Sequence, residues 1–142
     1  MKDMEFKSQI ATTREQSERL LALGIKPETA DMYWYEDSLL VADWSQIKSF
    51  QDYPPEDKTD EFYPAWSLSR LKALMPEVIY INKVDDYRLT IYGNILSYSY
   101  FLNGEHVGDL VFIIYKDSIF EGMISIISWL IERGYLNKTY LK

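Results

Sequence analysis

Few residues in this chain could support catalysis. His106 is the single histidine and cysteine is absent, so the usual zinc site of three or four nitrogen and sulfur ligands cannot be built. The glycines are scattered without the spacing of a phosphate-binding loop, and no serine stands in a glycine-flanked elbow. His106 has no evident orienting carboxylate and follows an Asn-Gly turn, where we expect it to be exposed. The sequence predicts a protein that is not an enzyme and holds no cofactor or metal ion.

Carboxylates are numerous but show no ligand pattern. Asp85-Asp86 and the group Asp57, Asp60 and Glu61 lack the alternating Asp/Asn with glycine that is typical of a calcium-binding loop. Carboxylate pairs for glycoside hydrolysis stay open, because their separation is spatial and not sequential. However, 142 residues leave little room for a deep sugar cleft beside a core.

The net charge of the chain indicates which classes of partner it can bind. The chain holds 22 acidic residues against 15 Lys and Arg, and nucleic-acid affinity comes largely from cationic side chains that replace counterions. Direct nucleic-acid binding is therefore not expected. An acidic surface can meet a basic protein or imitate nucleic acid, although it also simply keeps a protein in solution. The opening residues lack a signal-peptide pattern and no apolar run approaches a membrane span, so we expect a cytoplasmic protein without membrane contact.

The segment that organises the fold is residues 117–135. At 3.6 residues per turn it is apolar over most of its circumference. Its one polar ridge consists of Glu121, Ser125, Ser128 and Glu132. Ser118 has capping-box spacing to Glu121, and Gly134 stands where a left-handed C-terminal residue belongs. A helix of this kind must be covered on most sides, so we predict that it is the core helix.

Two further helices are predicted near the N-terminus. Thr12 or Thr13 caps a helix that runs to about Leu23, and Thr13 has capping-box spacing to a glutamine. Pro27 suits the first position of a second helix, with the sequence PETADMYW, because its missing N–H costs nothing there. Together they would form a helical hairpin.

The middle of the chain alternates polar and apolar residues, which predicts antiparallel strands. The predicted strands are residues 38–44, 78–82, 87–92, 95–102 and 110–115. Gly93-Asn94 and Asn103-Gly104 have the composition of two-residue hairpin turns, and Gly108-Asp109 would bulge or break the last strand. A helix over residues 66–75 precedes this region. We predict one α+β domain over residues 1–142, in which a small antiparallel β-meander of three to four strands packs against the C-terminal core helix.

An acidic and aromatic segment, residues 45–65, separates these parts. Pro54-Pro55 forbids a helix and stiffens the chain, and a long loop in a compact domain is often functional. We predict a protein contact surface, although the aromatic residues could equally pin the loop to the body. The predicted contact residues are Asp52, Tyr53, Asp57, Asp60, Glu61, Phe62 and Tyr63.

Aromatic residues are abundant, with 12 Tyr, 6 Phe and 4 Trp, and such side chains serve both in cores and at interfaces. Tyr92, Tyr98 and Tyr100 lie on neighbouring predicted strands, where they could cluster across the hairpin. If they face the helix, they are core residues. If they face outward, they form a flat patch of the kind that protein interfaces use.

Three segments carry a resemblance: QIATTREQSERLLALGIKPETADM, YPAWSLSRLKALMP and ISWLIERGYLNKTYL. In these the chain resembles a family of small uncharacterised proteins encoded by gut Bacteroidetes, often in prophages or other mobile elements. The three segments cover a little under half of the chain. The resemblance implies a bacterial, phage-linked setting and carries over no cofactor, catalytic residue or mechanism.

Together these patterns predict a non-enzymatic accessory protein of a phage or mobile element that binds another protein through the acidic and aromatic loop. The acids would steer encounter with a basic partner surface and the aromatic residues would be the buried anchors. Two alternatives stay open. An acidic mimic of nucleic acid that inhibits a DNA-binding host protein would need carboxylates spaced regularly along one face. A small-ligand-binding domain would need a concave pocket with several Tyr or Trp.

Overall fold

Two antiparallel sheets and three helices make up the described part of the chain, which in this computed structural model is residues 9–35, 38–41, 63–82 and 85–142. The helices are α1 (Arg14–Ala22), α2 (Leu68–Leu74) and α3 (Ile119–Arg133), with 3-10 turns at Pro27–Thr29 and Lys138–Tyr140. The strands are β1 (Met32–Tyr35), β2 (Ser38–Val41), β3 (Tyr63–Ala65), β4 (Val78–Ile81), β5 (Asp85–Tyr92), β6 (Ile95–Leu102) and β7 (Glu105–Ile114). The predicted α+β class is confirmed.

The larger sheet is a meander in the order β4-β5-β6-β7, as predicted. Its last hairpin turn holds Asn103 at φ 53 and Gly104 at φ 81, which is the left-handed pair that an Asn-Gly turn supplies without strain. The final strand is longer than predicted, because it begins directly after this turn. Pairing with β6 skips Val107 and Leu110, so each is the extra residue of a β-bulge on β7, and the two bulges flank the Gly108-Asp109 pair.

Helix α3 packs on one face of this sheet, as predicted, and contributes six of the 18 residues of the buried core cluster. Leu96 and Tyr98 of β6 are fully buried beneath it. The Tyr98 hydroxyl donates to the Pro76 carbonyl at 2.7 Å, and its ring lies 6.4 Å from the Trp129 ring. Burial raises the pKa of the Tyr98 hydroxyl above its ordinary value, because the anion would lose hydration.

The ends of α3 match their sequence signals only in part. Gly134 ends the helix at φ 76, as a left-handed C-terminal residue does. Ser118 caps it by accepting from the Phe120 N–H at 3.1 Å. The predicted capping box is wrong, since the Glu121 side chain accepts from Arg19 of α1 at 2.6 Å instead. This hydrogen bond lowers the pKa of Glu121 and joins α1 to α3.

The predicted helical hairpin at the N-terminus is wrong. Helix α1 forms with its Thr13 capping box, but PETADMYW supplies only a 3-10 turn followed by β1. Tertiary contacts outweigh the Pro27 start signal: the Thr29 carbonyl accepts from Arg70 at 2.6 Å, and the Asp31 carboxylate accepts from the Ser67 N–H at 2.9 Å. The aromatic run that follows also favours a strand.

That strand, β1, lies at the centre of a second sheet in the order β2-β1-β3. The predicted strand over residues 38–44 is therefore confirmed for Ser38–Val41, and its remainder lies outside the described residues. Helix α2 confirms the prediction for residues 66–75, with Ser67 as its cap. No helix in the described ranges combines the length and the apolarity that a membrane span requires.

Candidate functional site

The face of the larger sheet that points away from α3 exposes a set of large apolar side chains. Residues paired across neighbouring strands share a face, which places Phe112 beside Ser97, and Ile114 beside Ile95 and then Tyr92. The exposed members are Tyr80 (66%), Tyr92 (79%), Phe101 (42%), Phe112 (57%) and Ile114 (57%). We call these five residues the open sheet face. They are contributed by all four strands of the sheet.

Strand alternation explains why the aromatic residues divide between two faces. Along β6 the side chains of Leu96 and Tyr98 enter the core, so Phe101 and the odd-numbered neighbours point to the opposite side. Tyr92 pairs with one of these odd-numbered residues and is exposed, so it cannot meet Tyr98. The predicted cluster of Tyr92, Tyr98 and Tyr100 is therefore wrong. Tyr100 instead lies with its ring 5.9 Å from Tyr87.

A chain of polar side chains crosses the middle of this face. The hydroxyls of Ser97 and Ser99 are 2.7 Å apart, Ser99 donates to Asp109 Oδ1 at 2.6 Å, and His106 Nε2 lies 2.8 Å from the same oxygen. Partial burial would raise the pKa of Asp109, but the hydrogen bonds from Ser99 and His106 outweigh it and hold that pKa below its ordinary value. Three hydrogen bonds thus link the four side chains.

The order of these groups differs from that of a nucleophilic triad. A nucleophilic serine needs the imidazole at its own hydroxyl and the carboxylate behind the imidazole. Here Asp109 stands between Ser99 and His106, and a carboxylate with a lowered pKa is a weak base for a serine proton. The polar chain therefore fixes the surface of β6 and β7 and does not activate a hydroxyl.

His106 matches its prediction in part. The residue is exposed, as expected, but it does have a carboxylate partner in Asp109. In a regular strand, side chains three positions apart point to opposite faces, so the pair was not predicted. The bulge at Val107 changes the alternation and brings both side chains to one face.

Most of the predicted contact residues lie outside the described part of the chain. These are Asp52, Tyr53, Asp57, Asp60, Glu61 and Phe62. Tyr63 is described: it begins β3, is partly buried, and pairs opposite Trp34 of β1. It therefore belongs to the smaller sheet and lies in a different sheet from the open sheet face.

The acidic candidates for a cation site can be placed only in part. Asp85 and Asp86 begin β5, and Asp86 forms an ion pair with Arg88 at 3.3 Å. Within the described ranges no three His, Asp or Glu side chains come together as metal ligands. These ranges carry 12 acidic and 10 basic residues, so most of the acidic excess of the chain belongs to segments outside them.

Three surface depressions in the described part of the chain are open to solvent and poor in aromatic residues. One of about 240 Å³ lies between α2 and β5, one of about 430 Å³ between α1 and α3, and one of about 210 Å³ at the start of α3. Tyr115 is the one aromatic side chain in their linings. These depressions do not resemble the Tyr- and Trp-lined pocket that a small-ligand domain would need.

Comparison of the chain with protein-family models, with curated proteins and with solved structures finds no match.

Proposed function

We propose that this protein is a non-enzymatic binding domain that acts by contacting another protein through the open sheet face. The observation that carries the proposal is the exposure of five large apolar side chains on one side of one sheet. Several large apolar side chains exposed on one face of a sheet are typical of an interaction site. Protein interfaces are also enriched in Tyr and Phe.

The residue types on this face suit an interface centre. Phe112 and Ile114 are each 57% exposed, so covering the rest of either side chain against a partner stabilises a complex by about 1 kcal/mol or more. Tyr80 and Tyr92 add large contact areas with few rotatable bonds and a hydroxyl that can stay hydrated. The sheet holds its residues rigidly, which lowers the entropy lost on binding.

The polar chain adds specificity to the same surface. Asp109 and His106 lie among the apolar residues and are only partly buried, so a partner that covers this face must offer hydrogen-bond donors or a positive charge there. A basic partner surface also fits the net negative charge of the chain, and such complementarity accelerates association. The acidic and aromatic loop, with Asp52 to Tyr63, is the proposed second contact. The family resemblance suggests a prophage or mobile-element protein in the bacterial cytoplasm.

Affinity capture with matched variants tests this proposal. The tagged full chain is used to capture proteins from the native host, and the yield of each captured protein is compared with that of Tyr92→Ser and Phe112→Ser. Val41→Ser is the control, because Val41 is an equally exposed apolar residue that lies on β2 in the other sheet.

The proposal predicts a partner whose yield falls about fivefold or more with each face variant, since each removes about 1 kcal/mol or more of burial, and is unchanged with the control. A partner that binds all three variants as it binds the unsubstituted chain would contradict the proposal.

A further inference from the structure

Strand β7 is an edge strand of the larger sheet and is unusually open. It is ten residues long and, among the described residues, pairs with β6 alone. None of its residues is fully buried, whereas four residues of its neighbour β6 are. The other edge of this sheet, β4, has only four residues. A long apolar edge strand is a template for pairing with another chain.

The direction of the backbone groups on β7 follows from one hydrogen bond. The Tyr115 N–H donates to the Asn94 carbonyl at 2.9 Å, so the backbone of residue 115 faces inward, towards β6. In an antiparallel strand this direction alternates from one residue to the next. The N–H and C=O groups of Phe112 and Ile114 therefore face outward, along the free edge. These are also the two residues of β7 whose side chains belong to the open sheet face.

The two halves of β7 differ in their capacity to pair. The first half contains the bulges at Val107 and Leu110 and the charged residues Glu105 and Asp109, which are features that block edge pairing. The second half, residues 111–114, is regular in register with β6 and consists of apolar residues. The edge is thus protected at one end and free at the other.

We propose that residues 111–114 of β7 accept an extended segment of the protein partner as a fifth strand of the sheet. The inference rests on the proposed function and specifies how the partner binds. The added strand would hydrogen-bond to the outward groups of Phe112 and Ile114, and alternate side chains of it would extend the open sheet face. Backbone pairing gives such peptides affinity and alternate side chains give specificity.

The charges on β7 define the chemistry of that segment. Its alternate apolar side chains would lie beside Phe112 and Ile114. A Lys or Arg at the end that passes Asp109 would meet its carboxylate, which lies on the open sheet face beside Ser99. A second copy of this chain fits less well, since each copy carries a net charge of −7 and like charges oppose association. The partner segment is therefore extended, with apolar residues at alternate positions and a Lys or Arg at one end.

A displayed library of random short peptides, selected on the folded full chain, provides the probe. The affinity of a selected synthetic peptide is then measured by fluorescence anisotropy for the unsubstituted chain, for Ile114→Pro and for Ile114→Val. Proline removes only an outward N–H, so the bonds to β6 are kept, and valine controls for the change of side chain. Circular dichroism shows whether each variant is folded.

We expect selected peptides with alternate apolar residues and a Lys or Arg, and an affinity about tenfold lower for the proline variant, because one partner carbonyl loses its donor. The valine variant should bind within about twofold of the unsubstituted chain. In the unsubstituted protein, the amides of Phe112 and Ile114 should exchange with solvent faster than those of Val111 and Ile113, and should become protected when the peptide binds.

Selection of no peptide, selection of peptides with helical spacing, or equal affinity for the proline and valine variants would overturn the inference. So would a dimer in light scattering that Ile114→Pro abolishes, because the edge would then accept a second copy. Failure of the strand addition can be distinguished from failure of the proposed function. If a captured partner is lost with Tyr92→Ser but kept with Ile114→Pro, the strand addition fails and the binding face stands.

Discussion

Replacement of Gly122 by alanine tests the packing of α3 on the sheet. Gly122 lies in the interior of α3 and is buried. A Cβ atom at this position would come within 2.9 Å of Leu96 Cδ1 and 3.2 Å of Tyr115 Cβ. Leu96 is fully buried beneath the helix and Tyr115 Cβ is fixed to its backbone, so neither neighbour moves aside easily. The helix must therefore shift away from the sheet.

Two opposing contributions determine how much Gly122→Ala changes the free energy of unfolding. Alanine stabilises a helix interior by about 1 kcal/mol relative to glycine. Overpacking of a close-packed core costs about 1–3 kcal/mol, and contact at 2.9 Å with a fully buried side chain belongs towards the upper end of that range. We expect a net decrease of about 1–2 kcal/mol in the free energy of unfolding, measured by urea denaturation.

Two further variants test whether the loss of stability comes from the contact between residue 122 and Leu96. Ser125→Ala adds no bulk, and because residue 125 is exposed on the same helix, it should be neutral or stabilise by a few tenths of a kcal/mol. Leu96→Val removes the methyl end that Gly122→Ala would strike, so the double variant should be more stable than the sum of the two single effects. If Gly122→Ala were more stable than the unsubstituted chain, the close approach of α3 to β6 would be refuted.

Other predictions concern the hydrogen bonds of the core and the polar chain. Tyr98→Phe leaves the Pro76 carbonyl without its donor and should lower the free energy of unfolding by about 1 kcal/mol, with Tyr100→Phe as the control. Folding lowers the pKa of Asp109. The stability that its ionised carboxylate gives the fold is therefore present above the unfolded pKa of about 4 and is lost as pH falls through the folded pKa. Asp109→Asn should therefore lose less stability between about pH 6 and pH 3 than the unsubstituted chain. Glu121→Gln should change stability by less than about 1 kcal/mol, because the ion pair with Arg19 is largely exposed.

The elements with strong local signals could be predicted from the sequence. Residues 117–135 are apolar around most of a helix, and only an interior helix satisfies that pattern. The Asn103-Gly104 turn and the alternation of β5 and β6 fixed the meander in the same way. In each case, one short stretch of sequence contained all the residues that determine the structure.

The parts that were missed depend on residues that are distant in sequence. Pro27 begins a turn that Arg70, some forty positions away, holds through a side-chain hydrogen bond, and no local pattern contains that contact. The pair of His106 and Asp109 depends on a bulge, which the alternation does not reveal. Alternation separates the side chains of each strand into two sides, but which side α3 covers is decided by packing alone.

Hydrogen–deuterium exchange of the complex with a captured partner tests the central claim most directly. The account predicts that binding slows exchange in β5, β6 and β7, where Tyr92, Phe101, Phe112 and Ile114 lie, and leaves the exposed ends of α1 and α3 unchanged. Slowed exchange confined to the two helices, with the strands unaffected, would show that the partner binds the opposite side of the sheet and would contradict the account.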